Sequence, residues 1–576
     1  MESWSVLISV GILLGLLASG RFPPAVLFAG WAGGFVLLGI VDSNDLLTSF
    51  ANPALATLIL LMLVSLALER SHLLDQLSER LLRGSEKAAL LRLMGTSALL
   101  SAFLNNTAVV ASFLGAISRQ RQVAPSRLLI PLSFASIFGG VTTLIGTSTN
   151  LVVSSFAVSA GLPALDMFQF SLVGVPVALI CMGVLLFSAR LLPTIRHDEQ
   201  ASSQEYFLAA RVTPDSPLIG KSIEANRLRH LDGLFLLEIE REGHLISPVG
   251  PEEVLRAGDL LAFTGQVQKV QTLQRFPGLE LFGTRADDLL ATNLVEVVVS
   301  NQSELASRTL QEVDFRTMFN AGVVGIRRGE KRLQEQLGRI PLRVGDSLLL
   351  AVGADFMQHR NLDRNFHVLS GSLQRPKLSD TQSALALSGF AAVVVAATAG
   401  ILPLFHGLLL MLGALLASKI LSIGELRRRF PFELLLLIGS ALTIARGMET
   451  SGAAQLVSNF IQSYANGFGV MGAFIGVYLI TLLLTETVTN NAAAALAFPI
   501  ALSTAQVFGA DPLPFIMAVA FGASACFLIP FGYQTHLMVY SPGRYRMLDY
   551  IKTGLPVSLA YSTGVLVLVP LVFPFH

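Results

Sequence analysis

The chain has 576 residues, 52% of them hydrophobic and only 14% charged, with a mean hydropathy of +0.63. Soluble domains carry about a quarter charged residues, so these values exclude an ordinary soluble enzyme and predict a polytopic membrane protein. A formal net charge of +1 argues against a nucleic-acid partner, and Cys181 and Cys526, both inside apolar runs, read as small buried hydrophobes with no disulfide framework.

Runs of about 17–25 apolar residues suffice to cross a bilayer. The first follows Met1-Glu-Ser-Trp4 without a basic flank or a small-residue cleavage site, and is expected to be a membrane helix, not a cleaved signal peptide. Apolar segments fall at about 5–20, 24–41, 52–69, 88–117, 128–157 and 169–192, and again at about 382–399, 402–420, 432–448, 468–504, 513–541 and 553–574. A polar segment runs between them. The expected division is a first membrane repeat over 1–194, two small α+β domains over 195–287 and 288–375, and a second membrane repeat over 376–576.

The two apolar blocks read as copies. The run Leu58–Arg70 is echoed by Leu435–Arg446, and each precedes a short amphipathic stretch, near 71–84 and 453–465. Next comes a polar cluster in the middle of an apolar run: Asn105, Asn106 and Thr107 in the first copy, Thr489, Asn490 and Asn491 in the second. About 40 residues later each copy has a polar-interrupted span, Gly146-Thr-Ser-Thr-Asn150 and Gly532-Tyr-Gln-Thr-His536. Each amide or hydroxyl taken into hydrocarbon without a partner costs roughly 2–7 kcal/mol. Internal duplication with helices broken at matching positions is the sequence pointer to a transporter binding site.

Segments 88–117 and 468–504 are too long for one simple span, and each is expected to form a hairpin that enters and leaves on one side. Irregular backbone at that depth is tolerated only where it is buried in protein or lines a cavity. The alternative is one long tilted helix, but three adjacent polar residues cannot share a narrow helix face. With 195–378 placed in the cytoplasm, the inside loops carry Arg21, Arg80, Arg83, Arg92, Arg119, Arg121, Arg127, Arg427–Arg429, Arg544, Arg546 and Lys552. The outside loops carry no Lys or Arg, as the positive-inside rule asks. Arg446, near the outer end of its span, sits awkwardly. The expected topology is an inverted repeat in the inner or plasma membrane.

The polar middle is also duplicated. Leu208–Val212 leads to Gly258-Asp-Leu-Leu and on to Gly265, while Leu294–Val299 leads to Gly345-Asp-Ser-Leu and on to Gly353. Strand-like runs lie between, at Gly233–Ile239 and Gly322–Ile326. The Gly-Asp-x-Leu ending and the strand spacing resemble the C-terminal domain of potassium-conductance regulators (the TrkA-C type), in tandem. That resemblance implies dimerisation and a small regulatory ligand, whose identity the sequence leaves open.

Na⁺ takes hard oxygen ligands, and half-helix C-termini supply unpaired carbonyls where half-helix N-termini present N–H groups to an anion. Few Lys or Arg lie deep in the spans, so a dianion needs its counter-charge largely from co-bound cations. The tips and breaks resemble those of the divalent anion/sodium symporter family, across both membrane halves. Its Ser-Asn-Thr tip signature corresponds to Asn105-Asn106-Thr107 and Thr489-Asn490-Asn491, and its Gly/Thr-x-Pro-Pro-Asn break to Gly146–Asn150 and Gly532–His536. The prolines are gone and His536 replaces the last Asn.

By that resemblance Asn105, Asn106, Gly146 and Asn150 hold one Na⁺, and Thr489, Asn490, Gly532 and His536 a second. The anion is expected against both tips, including Thr107 and Asn491, with Ser148, Thr149, Gln534 and Thr535 as added donors and Asn106 and Asn490 facing it from either side. The altered breaks and the inserted domain pair look most like the sulfate-permease branch. The implied function is Na⁺-coupled symport of sulfate by a homodimer of elevator type, with no other cofactor and no enzymatic activity. Na⁺/dicarboxylate symport remains open, as do H⁺ coupling, a non-transporting ligand sensor and a potassium-linked regulated channel. No Thr-Val-Gly-Tyr-Gly filter is present for the last.

Glu486 reads as a hairpin cap or as a proton-titrating residue, and His536 as a hydrogen-bonding substitute for Asn or as a source of pH dependence. The Gly-x-Gly-x-x-Gly match at Gly467–Gly472 opens an apolar segment and follows no strand, so small-residue helix packing explains it better than a dinucleotide site.

Overall fold

Asn52 shows how this chain starts a membrane helix. Its side-chain oxygen accepts from the N–H groups of Ala54 and Leu55 at 2.8 and 3.3 Å, and Pro53 takes the first helical position, where no N–H is needed. The computed structural model describes residues 2–18, 22–70, 81, 84–119, 123–195, 206–228, 231, 234–242, 244–246, 249–265, 276–282, 294–300, 303–313, 315–319, 321–333, 339–352, 356, 361–370, 378–465 and 469–576. The amphipathic stretch near 71–84, Arg21, Arg80, Arg83 and Arg121, the start of the Gly467–Gly472 match and the junctions expected near 195–205, 287 and 375 lie largely or wholly outside the described residues.

The first half is α1 (Glu2–Ala18), α2 (Pro24–Leu37), α3 (Ser43–Phe50), α4 (Pro53–Glu69), α5 (Glu86–Ser101), α6 (Asn106–Arg119), α7 (Pro125–Gly140), α8 (Ser148–Ser159) and α9 (Ser171–Ser188). Strands β1 (Tyr206–Val212), β2 (Leu234–Arg241), β3 (His244–Ile246), β4 (Leu260–Gly265), β5 (Leu279–Phe282) and β6 (Leu294–Val299) follow. After α10 (Phe315–Phe319) come β7 (Ala321–Arg328), β8 (Lys331–Leu333), β9 (Ser347–Val352), α11 (Leu362–Asn365) and β10 (Phe366–Ser370). The second half opens with α12 (Asp380–Thr398), α13 (Leu404–Ala417), α14 (Ile423–Arg429), α15 (Phe432–Thr450) and α16 (Ala453–Ala465). It closes with α17 (Gly469–Thr487), α18 (Asn490–Val507), α19 (Pro512–Ala523), α20 (Gln534–Tyr540) and α21 (Met547–Val572).

Among the described residues five segments are long and apolar enough to cross a membrane: Ser43–Leu68, Ser171–Leu191, Asp380–Thr398, Gly469–Thr487 and Met547–Val572. Both long apolar runs are interrupted, so the single tilted helix does not form. The breaks follow from local polar chemistry. Asn105 accepts the N–H of Thr107 at 3.0 Å to start α6, and the Thr489 hydroxyl accepts the N–H of Ala492 at 3.4 Å to start α18. The apolar spans at 128–157 and 513–541 also split, at 141–147 and 524–533. Two short helices, α3 and α14, occupy stretches read from the sequence as loops; each precedes a long span of its half.

The halves pack by exchange. The helix after the first tip, α6, packs on α20, which follows the second break; α18, after the second tip, packs on α8, which follows the first break. Further contacts join α2 to α15 and α4 to α13. Arg70 ties the halves at one end, bonding the Ile420 carbonyl at 3.2 Å and Glu425 at 3.2 Å.

The middle forms two antiparallel five-stranded sheets with one strand order, β3-β2-β4-β1-β5 and β8-β7-β9-β6-β10. Each has its own apolar core, one around Ile239, Leu261 and Phe263, the other around Val297, Phe319 and Leu350. The register slips at matching places, between Leu236 and Glu238 and between Val323 and Gly325. The second sheet rests on the helices: β10 packs on α6, and Val298 and Leu369 join the helical core.

Candidate functional site

Close approach of backbone and side chain builds the first tip. Gly140 ends α7 directly against the amide of Asn106, and any Cβ there would overlap it. Asn106 is 3% exposed, and its Oδ1 lies 2.5 Å from the Ser101 hydroxyl. With the amide turned so that both its ends are satisfied, Oδ1 accepts from the Tyr533 hydroxyl at 2.8 Å. The amide nitrogen then faces three acceptors for its two N–H groups, the Ser101 hydroxyl and the carbonyls of Ser136 (3.1 Å) and Gly146 (3.3 Å).

The second tip meets the first break. Asn490 donates to the Thr149 hydroxyl at 2.8 Å, and the Ser148 hydroxyl donates to Asn491 Oδ1 at 3.1 Å. Tyr533 joins the first tip to both breaks: besides Asn106 its hydroxyl contacts Thr147 at 3.3 Å. Residues far apart in the chain thus share one polar cluster where α6, α8, α18 and α20 begin. The starts of α6 and α18 are capped by their own side chains, while those of α8 and α20 have no side-chain cap, a setting suited to an oxyanion.

The sequence reading places Asn106 and Asn490 on either side of an anion; the structure bonds Asn106 to the Tyr533 hydroxyl and Asn490 to Thr149. The sequence expectation names no role for Tyr533, although its phenolic oxygen is the available signal, nor for Ser101 and Ser133; Thr147 lies within the expected 146–150 break.

Thr535 and His536 bond to Ser133 and not to the Asn or Thr residues of the tips. Ser133 bonds both, at 2.8 Å to Thr535 Oγ1 and 2.8 Å to His536 Nδ1. His536 Nε2 donates to the Cys526 carbonyl at 2.7 Å, and the His536 carbonyl accepts from Tyr550 at 3.0 Å. Both ring nitrogens therefore have protein partners, in keeping with a hydrogen-bonding role. Asn105 and the exposed Thr489 cap their helices, Thr107 is half-buried, and Gln534 opens α20. Glu486 accepts from the N–H groups of Phe527 and Leu528, each at 3.2 Å, with Cys526 Sγ at 3.4 Å. The carboxylate thereby braces the irregular stretch after α19.

For a cation the informative atom is Asn150 Oδ1. The residue is 1% exposed, its amide nitrogen donates to the Thr143 carbonyl at 2.8 Å, and Oδ1 has no hydrogen-bond partner among the described residues. Thr143 Oγ1 in turn donates to the Ala102 carbonyl and accepts from the Gly146 N–H at 3.1 Å. A buried neutral oxygen lacking a donor is chemically suited to a hard cation. Gly146 lies at this cluster and Gly532 beside Thr485 and Cys526.

At the far ends of α8 and α18 lies a cavity of about 290 Å³ lined by Asp45, Arg446, Glu449, Gln455 and Ser503 among others. The stacked rings of Phe156 and Phe498, centroids 5.3 Å apart, form part of its wall. Arg446, the awkward basic residue, pairs there with Glu449 at 3.0 Å.

Apolar spans, paired broken helices and a shared polar cluster define a multi-pass membrane transporter. The chain belongs to the citrate transporter family (CitMHS), whose model matches residues 7–522. It is 31% identical to an uncharacterized transporter of Synechocystis, over 93% of this chain and 92% of that one. It is equally identical, over 91% and 94%, to a Chlamydomonas reinhardtii protein named as a candidate regulator of the sulfur deprivation response. It is 28% identical to sodium/sulfate cotransporter 1 of Chlamydomonas reinhardtii over 63% of this chain and 42% of that longer protein.

Proposed function

We propose that the protein is a sodium-coupled symporter of a divalent oxyanion, with sulfate as substrate. The observation that carries this reading is the bonding of each half's tip to the other half's break, Asn106 to Tyr533 and Asn490 to Thr149. One Na⁺ binds beside Asn105, Asn106, Gly146 and Asn150, a second beside Thr489, Asn490 and Gly532. The anion takes the helix N-termini with Thr107, Ser148, Thr149 and Asn491. Few basic side chains are available there, so bound Na⁺ supplies the counter-charge, and without it a dianion is too costly to desolvate. The names of the sodium/sulfate cotransporter relatives support both substrates.

The two halves act as inverted repeats. The tip-bearing helices α5–α8 and α17–α20 move as a core against a scaffold built on the first spans of each half, through which two copies dimerise. The sheet units are TrkA-C-like regulatory domains on the cytoplasmic side. A second substrate reading, dicarboxylate or citrate, is favoured by the family description.

The deciding experiment is uptake of radiolabelled sulfate into proteoliposomes with and without an inward Na⁺ gradient, competed by selenate, thiosulfate and succinate. Sodium-stimulated uptake blocked by selenate and not by succinate is expected. Competition by succinate alone would return the substrate to dicarboxylates. Absence of flux would leave a ligand sensor, in line with the name of the sulfur-response relative.

A further inference from the structure

We infer that Tyr533 sets the class of anion carried, admitting a compact tetrahedral oxyanion and excluding a four-carbon dicarboxylate. This deepens the symport reading above and rests on it. The phenol reaches the first tip from the second break: its hydroxyl meets Asn106 and Thr147 of the first half at 2.8 and 3.3 Å, while Thr149, two residues on from Thr147, takes the amide of Asn490. Tyr533 is only 7% exposed, so the phenol is a buried part of this cluster and not a surface ring at its rim.

The ring is also held in place. It lies 5.8 Å from the His536 ring, which Ser133 and the Cys526 carbonyl fix at 2.8 and 2.7 Å and which packs against Tyr550 at 5.5 Å. Swinging the phenol aside would break its bonds to Asn106 and Thr147 and disturb this buried stack. Close-packed interiors resist such rearrangement.

Substrate geometry then discriminates. A tetrahedral oxyanion presents all its acceptor oxygens around one atom and can be held at a single cluster of donors. A dicarboxylate carries two acceptor groups joined by a carbon chain, one for each tip, with the chain crossing between them. The Tyr533 hydroxyl, bonded to Asn106 and Thr147, stands at the first-tip end of that crossing. A hydroxyl has one proton to donate and two lone pairs, so Tyr533 both holds the first tip to the breaks and closes the path the chain would take.

The test compares Tyr533→Phe and Tyr533→Ala with wild type for sulfate and succinate uptake in Na⁺-loaded gradients, with thermal midpoints to report folding. Tyr533→Ala is expected to lower the sulfate-over-succinate ratio of kcat/KM at least a hundredfold, with succinate becoming a competitor. Tyr533→Phe keeps the ring and loses the hydroxyl's bond to Asn106, and is expected to raise the sulfate KM about fivefold while still excluding succinate, the scale of one lost neutral hydrogen bond. If Tyr533→Ala does not fold, Tyr533→Leu, which shortens and narrows the side chain, carries the same expected shift. An active alanine or leucine variant that still excludes succinate overturns the inference and leaves the symport reading intact. A Tyr533→Phe variant that admits succinate overturns it too. Wild type that carries no anion overturns both.

Discussion

Arg328 grips Asp346 through two bonds of 2.7 Å, Nε to Oδ1 and Nη2 to Oδ2. Arg241 grips Asp259 in the same way at 2.9 Å, with each of the four residues 87 positions from its counterpart. Both aspartates are buried, at 1% and 0% exposure, and each also accepts a backbone N–H, from Arg343 or Arg256, at 2.8 Å. The pair therefore ties the turn before one strand to the end of its neighbour. Removing one partner of a buried pair leaves an uncompensated charge and costs about 3–5 kcal/mol. Arg328→Ala is expected to abolish hydrogen-exchange protection across β7–β9 while β1, β2 and β4 keep theirs. Equal loss in both sheets would mean that the two units unfold as one.

Ser541, in the turn after α20, accepts from the Gly329 N–H at 3.2 Å and donates to the Gly345 carbonyl at 2.5 Å. Arg546 adds an exposed bond to Glu330. Gly329 has φ +59°, and a Cβ there would come within 2.9 Å of both the Tyr540 ring and the Tyr545 carbonyl. Only glycine fits this approach without strain. Because α20 begins one residue after Tyr533, the second sheet bears on the far end of a helix that starts at the polar cluster. Gly329→Val is expected to pry the sheet from this turn, slowing uptake at saturating substrate with little change in Na⁺ or sulfate affinity. Cysteine cross-linking between positions 330 and 546 would report the lost contact. Unchanged uptake with the cross-link abolished would show that the sheet does not act on the helix.

Much of this was legible because membrane burial makes polar residues conspicuous. Asn105, Asn106, Asn490 and the breaks at 146–150 and 532–536 stand out against apolar runs. The Gly-Asp pairs at 258–259 and 345–346 pointed to duplication in the middle. What stayed hidden depends on which side chain meets which across the halves. Tyr533 reads as an ordinary aromatic until α6 and α20 are packed together. His536 and Asn490 look equally polar, yet Ser133 and Cys526 engage one and Thr149 the other. Helices α3 and α14 escaped notice because they are short and carry too few apolar residues to show a periodic pattern.

Glu238 lies on β2 with 3% exposure, and burial, reinforced by the neighbouring charge of Glu240, pushes its carboxyl up to about 7. In the unfolded chain it titrates near ~4.3. Between about 4.3 and 7 the folded sheet keeps a proton that the unfolded chain has released, so stability falls as pH rises through this window and levels off above it. Limited proteolysis of the β1–β5 unit should be faster at pH 7.5 than at pH 5.5. Glu238→Gln, which stays neutral, should remove most of that difference. A variant with the wild-type pH dependence would assign the effect to other groups.

Asn150 gives the sharpest test of sodium coupling. Its amide nitrogen is anchored on the Thr143 carbonyl, while Oδ1 is buried and lacks a donor among the described residues. An unsatisfied buried oxygen costs about 1–3 kcal/mol unless something binds it, and a bound Na⁺ would recover that cost. Asn150→Ala removes the ligand and the penalty together. Expected results are a half-maximal Na⁺ concentration for sulfate uptake raised at least tenfold, and a thermal midpoint without Na⁺ that falls little or rises. Na⁺ should stabilise wild type against heat more than it stabilises the variant. Equal stabilisation of both by Na⁺, with an unchanged activation curve, would remove Asn150 from the cation site and leave its oxygen a purely structural orphan.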